Sequence, residues 1–457
     1  MTTTYDVRIW EIQVRYKQEA GRRRPTRYVV RWMLEPGGRF QRSFKLRAQA
    51  DSFRSELLTA ARQGQAFDVE QGLPSAALRE SMTMSWIEFA RCYADMKWGD
   101  SAPKSRKSTA DNLIAISRVV FKGRRGEPER SLMGAALRVS FNSTMRQQVI
   151  PEGIEGVIRW MERSSPSVAE IMKPAKLRQI LSDIERTAAG DRCAKNTIRL
   201  RRTTLRNAMD YAVERGLLAT NPIGDMKIKR NKVSLREVDQ RSVVNPVQAR
   251  TLLRAVKEDS PRLHAFFAAM YYAALRPEEV INLRAQNLTL PSDGWGEIAL
   301  TRAAPEVAAE WTDHGTVGEE RELKHRGVGE GRIVPCSPAL VELLRAHIAR
   351  YGTTADGRLF RAMRSEAPLS SSVYGRAWER ARTATFTEQV LTSPLALRPY
   401  DLRHAAVSTW LNATGDPTRV AEWAGHTVSV LLRVYAKCLD GGEIEARRRV
   451  AERLDGG

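Results

Sequence analysis

Two prolines and two glycines punctuate residues 398–435, RPYDLRHAAVSTWLNATGDPTRVAEWAGHTVSVLLRVY, and they allow three short helices there and little else. Pro399 suits a first helical position, because its missing N–H would be unpaired there anyway. Gly415 ends that helix, Asp416-Pro417 starts the next as cap and first residue, and Gly425 closes it. His426 then falls at a helix–helix junction, and Tyr435 lies nine residues on, in a third helix. Tyr400 and Arg403, three apart, share one face of the first turn. An arginine, a junction histidine and a late tyrosine make a candidate site for nucleophilic attack on a phosphate.

The remainder of the chain is large enough to serve such a site. Its 457 residues predict about three domains. Lys and Arg outnumber Asp and Glu by 74 to 53, and the resulting +21, spread along the whole length, points to a polyanionic partner. Cys92, Cys193, Cys336 and Cys438 are far apart and form no C-x-x-C pair. That argues against a zinc knuckle and against a disulfide framework, and fits a reducing cytosol. With no charged-then-apolar leader and no apolar run long enough to span a bilayer, a cytoplasmic protein is expected.

In chain order, Val7 to Tyr16, Tyr28 to Leu34 and Phe40 to Leu46 alternate with period two, joined by a basic segment (Arg22, Arg23, Arg24) and a Pro36-Gly37-Gly38 turn. Ala50, Phe53, Leu57 and Ala61 then mark a helix. Residues 1–64 therefore form a three-stranded sheet plus helix, and 65–80, with Gly72, Pro74 and Ser75, read as a linker. Residues 81–226 turn helical. Trp86, Phe89, Ala90 and Tyr93 line one face; Leu113, Ile116 and Val120 line a second helix starting near Ser105 to Thr109; Ile198, Leu205, Met209 and Ala212 line a third. Lys104, Arg106 and Lys107 open the second of these, and Arg199, Arg201, Arg202 and Arg206 crowd the polar side of the last. Residues 227–244 form a basic linker with Lys229 and Arg230, and Asn245-Pro246 opens a mixed α/β domain, 245–457. The whole is α+β, mainly α.

The 398–435 run resembles the C-terminal signature of the tyrosine recombinases, the phage-integrase family: an H-x-x-R box, a Gly-His box, then a nucleophilic tyrosine. Arg403, Gly425–His426 and Tyr435 match these boxes, and Tyr400 stands where most of the family has histidine. Upstream, AALRPEEVINLR resembles the first arginine motif. Pro277 places Arg276 at a helix N-cap, where the helix dipole and the guanidinium act together, and Glu279 takes the usual acidic position. A surface Arg276–Glu279 pair is the plainer alternative. In ELKHRGVGEGRIVP, Lys324 takes the place of the family's hairpin lysine, between strands at Trp295–Leu300, Arg321–Lys324 and Arg332–Pro335 and a turn at Gly327, Gly329 and Gly331. The segment Thr301 to Gly318 reads as a polar insertion without legible structure. The Arg-rich phrasing is similar to integrases of high-GC actinobacterial mobile elements.

The resemblance implies an arm-type DNA-binding domain at 1–64, for which a structural β-module with a basic face is an equal alternative. It implies a core-binding domain at 81–226, whose basic side tracks phosphates through Lys104, Arg106, Lys107, Arg199, Arg202 and Arg206, and a catalytic domain ending in an assembly helix, Gly442 to Leu454. Arg276 and Arg403 would bind non-bridging oxygens as guanidinium forks, with His426 adding a donor. Lys324 would protonate the departing 5′ oxygen, and Tyr435 would form a 3′-phosphotyrosine. Tyr400 cannot carry charge as imidazolium does, so it is read as a positioning residue, with His426 or His404 as compensating bases. Val428, Leu431, Leu432 and Tyr435 also share one helical face, which by itself would make Tyr435 a core residue. No metal or cofactor is called for. The expected partners are double-stranded DNA with attachment-type sites, further copies in a homo-tetramer, and an accessory excision factor. A type IB topoisomerase-like nicking-closing enzyme, or a catalytically impaired DNA-binding relative, fits the same residues.

Overall fold

The structure, a computed structural model, describes residues 3–19, 22–44, 46–75, 84–218, 220–226, 238–322, 331–435, 447–448, 451–452 and 454. The chain divides into two compact units, Met1–Asn231 and Lys232–Gly457.

The first unit begins with β1 (Thr3–Thr4), β2 (Val7–Ile9), β3 (Gln13–Glu19), β4 (Arg22–Leu34), β5 (Gly38–Phe44), α1 (Arg47–Arg62) and β6 (Phe67–Asp68). Long β4 is the middle of the sheet. β5 pairs along one edge, while β2 and β3 follow one another along the other, all antiparallel. The predicted first strand is therefore interrupted after Ile9, and its two halves share one partner. Arg22 to Arg24, expected to be a connection, belong to β4, since the ladder runs on to Glu19↔Arg22. Pro25, which cannot donate to a ladder, sits where the register shifts between Arg15 and Tyr16. Val30, Trp32 and Leu34 alternate onto one face and pack against Ala50, Phe53, Leu57 and Ala60 of α1. Residues 67–75, expected to belong to a linker, fold back instead. Phe67 and Leu73 enter the same core, β6 pairs with β1, and Gly72 takes a positive φ where a Cβ would strike the Phe40 ring at 2.5 Å.

The longer helices after residue 84 are α2 (Trp86–Asp100), α3 (Pro103–Phe121), α4 (Arg130–Ser140), α5 (Glu152–Ser164), α6 (Pro174–Asp183) and α7 (Lys195–Glu214). α3 starts at Pro103, earlier than its polar opening suggested, because proline fits the first helical turn. Trp86, Phe89 and Tyr93 of α2, Leu113, Ile116 and Val120 of α3, and Ile198, Leu205 and Met209 of α7 are all buried.

The second unit is built around α9 (His264–Tyr272), which follows α8 (Pro246–Asp259). Ala265 through Tyr271 of α9 are all buried, as expected of a helix that is apolar on every side. After α10 (Pro277–Ile281) come β7 (Leu288–Thr289), β8 (Gly296–Leu300), β9 (Arg302–Ala303), β10 (Arg321–Glu322) and β11 (Arg332–Cys336). β8 is the middle strand between β11 and β7, and β9 pairs separately with β10. The 301–318 insertion buries Val307 and Trp311. α11 (Pro338–Tyr351) and α12 (Ser371–Thr385) complete the main core, and α13 (Asp401–Thr414), α14 (Pro417–Ala424) and α15 (Val428–Tyr435) form a second one around Val407, Val420, Leu431 and Tyr435. Of the expected assembly helix, residues 447–448, 451–452 and 454 are described, and these are helical. Among the described residues, no helix is long and apolar enough to cross a membrane.

Candidate active site

α13 begins at Asp401, with Tyr400 as its cap residue, two positions later than Pro399 suggested. Residues 398–400 are taken up by a turn in which the Asp401 carboxylate accepts from the Arg398 N–H at 2.9 Å. Gly415 ends α13 and Gly425 ends α14, both with φ near +64°. Asp416 caps α14 by accepting from the Arg419 N–H. Gly425 is required twice over. Its φ favours glycine, and a Cβ there would meet Arg332 Nη1 at 2.7 Å.

Arg276 occupies the cap of α10, extended at φ −75° and ψ 150°, as a residue before proline must be. Its N–H donates to Glu279 Oε2 (2.8 Å), its Nη1 donates to Glu279 Oε1 (2.7 Å), and its Nη2 donates to the Gly425 carbonyl (3.1 Å). Glu279 is 1 % exposed, so this is no surface pair. Arg332 grips the same carboxylate with both Nη atoms at 2.8 Å, and its Nε donates to the Trp423 carbonyl. Arg403 Nη1 lies 3.9 Å from Glu279 Oε2. Burial alone would raise the Glu279 carboxyl. The charges and hydrogen bonds of Arg332, then the charges of Arg276 and Arg403, reverse that and hold it well below the ordinary carboxylate range.

Arg403 departs from the expected role of an open fork. It is fully buried, its Nη1 donates to the Ala274 carbonyl, and its Nη2 donates to the Ala424 carbonyl and to His426 Nε2 at 3.1 Å. Ala274 holds a positive φ of 49°, a strained conformation for alanine. With both Nη atoms engaged, the Nε–H of Arg403 is a buried donor without a partner. Arginine has no acceptor, so His426 Nε2 must accept and its proton must sit on Nδ1, a second buried donor without a partner. Burial, then Arg403, Arg276 and Arg332, push His426 down to about 3. Arg403 Nε and His426 Nδ1 are thus left as buried donors beside the Gly425–His426 junction, where Arg276 Nη2 also reaches the Gly425 carbonyl.

Tyr435 is 1 % exposed and belongs to the apolar cluster of the last three helices, yet its hydroxyl lies 2.9 Å from His404 Nδ1. The rings of His404 and His426 lie 5.7 and 6.1 Å from its own, the latter stacked. Leu431 is buried while Val428 and Leu432 are exposed, so the shared apolar stripe is narrower than the spacing suggested. Tyr400 meets His404 edge-on at 5.1 Å. Burial, then Arg398 and Arg403, push His404 down to about 4, so it is neutral near pH 7.

The structure thus brings Arg276, Glu279, Tyr400, Arg403, His404, His426 and Tyr435 to one place. Lys324, Lys229 and Arg230 lie outside the described residues. In the first unit, Arg206 and Lys104 are exposed, Lys107 pairs with Asp111 at 2.6 Å, Arg199 bonds Asn196 and Arg202 bonds Glu185. Arg106 does not fit a phosphate contact. It is 5 % exposed, its Nε donates to the Trp98 carbonyl, and its guanidinium lies over the Trp98 ring. The residue that sequence reasoning missed is Arg332. The signal was its phase in β11, where Arg332, Val334 and Cys336 alternate inward, which puts a charge at a core position. Among the described residues, no group of three or more His, Cys, Asp or Glu converges as metal ligands would.

A family model described as the phage integrase family matches residues 242–440. Comparison with curated proteins finds no match. Among solved structures, the Tn1549 transposon integrase in complex with a circular intermediate DNA is similar at 16% identity and a TM-score of 0.46, covering 68% of this chain and 96% of that one. The lambda integrase fragment bound to DNA is similar at 14% identity and 0.44, covering 79% and 97%. XerH site-specific recombinase bound to its substrate is similar at 13% and 0.41, covering 76% and 96%. The family match encloses every residue of the cluster just described, so the segment this chain shares with the phage integrase family is the one that carries the candidate site.

Proposed function

We propose that this chain is a site-specific DNA recombinase, the integrase of a phage or other mobile element, which cleaves and rejoins DNA through a 3′-phosphotyrosine. One observation carries the reading: a tyrosine hydroxyl bonded to a neutral histidine, beside a cluster of guanidiniums fastened to one buried carboxylate. Fixed positive charge at a phosphate site stabilises the charge that grows on the oxygens during displacement, and it costs no reorganisation as the reaction proceeds. Arg276 supplies hydrogens from its two Nη atoms, Arg403 its Nε–H and His426 its Nδ1–H. Tyr435 attacks phosphorus, and Lys324 protonates the departing 5′ oxygen. The phosphotyrosine conserves bond energy, so a different 5′-hydroxyl can close the strand.

On the same reading residues 1–64 bind arm-type sites, the helices of residues 81–226 track the duplex, and the protein works in the cytoplasm as a DNA-bound homo-tetramer with an accessory excision factor. The test is a nicked suicide duplex built from the DNA flanking the gene's own element. The wild-type chain should become covalently attached and Tyr435→Phe should not. Absence of any adduct would favour a DNA-binding relative, and relaxation of plasmids lacking such sites would favour a topoisomerase.

A further inference from the structure

We infer that His404, through Nδ1, accepts the proton of Tyr435 during strand cleavage and returns it during rejoining. The inference rests on the recombinase reading and adds a base to it.

Two histidines flank the Tyr435 ring, and the geometry separates them. His426 has committed Nε2 to Arg403, which can only donate, so its remaining nitrogen carries a proton and cannot take another. His404 places Nδ1 at 2.9 Å from the Tyr435 hydroxyl, inside hydrogen-bond reach of the proton to be removed. Tyr400, one helical turn earlier, meets the His404 ring edge-on and braces it. A phenol there is no base near neutral pH, so proton acceptance falls to the imidazole four residues on.

The surroundings of His404 suit a transient base. Arg398 bears on it from the turn before its helix, Arg403 from that helix's first turn, Tyr435 from α15, His426 from the junction before α15, and Glu279 lies beyond Arg403. Burial and the two arginines keep the ring neutral, with its lone pair available. A phosphate settling on Arg276 and Arg403 brings a negative charge that offsets those arginines, which raises the basicity of His404 when it is needed. In the step itself, the Tyr435 Oη–phosphorus bond forms and the phosphorus–O5′ bond breaks. The phenol proton goes to Nδ1, and the 5′ oxygen takes a separate proton from the general acid. Rejoining runs the same transfers backwards.

The experiment uses the full-length chain and two suicide duplexes from the element's flanks, one normal and one with sulfur at the bridging 5′ position, a leaving group that needs no general acid. His404→Asn keeps a hydrogen-bonding side chain but cannot hold the proton. Adduct formation should slow by roughly 10²-fold near pH 7, in the range of general-base effects. It should then recover about tenfold per pH unit toward the ordinary phenol value near 10. The sulfur duplex should not restore it. A variant as fast as wild type, or slowed with the wild-type pH profile, or restored by sulfur, overturns the inference. A wild-type chain that forms no adduct overturns the recombinase reading itself, and the inference with it. Where His404→Asn does not fold, nitrogen NMR of His404 in the unaltered protein decides: the proton on Nε2 supports the assignment, and the proton on Nδ1 contradicts it.

Discussion

Arginine is used in opposite ways in the two units of this molecule. On α7 of the first unit, Arg199 and Arg206 stand in solvent with little to hold them. In the second, Arg276, Arg332 and Arg403 surround one carboxylate and are tied by hydrogen bonds to Glu279 and to the carbonyls of Ala274, Trp423, Ala424 and Gly425. Exposed charge near a polyanion acts by releasing counterions, and each residue counts about equally. Buried charge acts as a preorganised unit, in which loss of one member leaves the others unpaired. The same residue type therefore predicts graded effects in one unit and collapse in the other.

The largest test of that contrast is Arg332→Leu. It leaves Glu279 with half its partners, and unfolding of the full chain by denaturant should show a loss of about 3–5 kcal/mol, the cost of breaking a buried pair. Glu279→Ala should cost a similar amount, because three guanidiniums would then face one another. A change under about 1 kcal/mol for either would mean that the cluster is not a unit.

Next in size is the acid response. His404 and His426 sit near 4 and 3 in the folded protein, below the free value of 6.5. Between those limits the unfolded chain binds more protons, so stability rises with pH. It is undiminished above about 6.5 and falls as pH drops toward 4, by at most about 1.4 kcal/mol per pH unit for each histidine. Glu279 acts in the same direction at lower pH, as pH falls through the ordinary carboxylate value and the unfolded chain's carboxyl takes a proton that the folded one does not. Unfolding curves from pH 7 to 4.5 should show this slope, and it should shrink in His426→Asn.

The smallest effects belong to the helical half, and there two arginines should part company. Arg206→Ala should leave stability within about 0.5 kcal/mol and lower the slope of log affinity against log salt by about 1. Arg106→Ala should leave the salt slope unchanged and instead lose stability, since its guanidinium serves Trp98. Equal salt effects would show that burial does not sort them.

What could be read from the sequence was local. Pro277, Gly415, Asp416-Pro417 and Gly425 set the ends of α10, α13 and α14, and those ends present Arg276 and His426. What could not be read depended on partners distant in the chain. A charge run does not reveal that Arg106 folds onto Trp98, and turn residues at 72 and 74 do not reveal that Phe67 and Leu73 dock. Arg403 looks like an open fork until the carbonyls of Ala274 and Ala424 arrive beside it. The hydrogen bond between His404 and Tyr435 joins residues 31 apart, and no spacing rule announces it.

The central claim is that the reacting phenol belongs to Tyr435. Digesting the covalent complex from the suicide duplex and identifying the nucleotide-bearing peptide by mass spectrometry tests it most directly. The account predicts one modified residue, Tyr435, attached to a 3′ phosphate. Attachment at Tyr400, or at any other side chain, or through a 5′ phosphate, would contradict it.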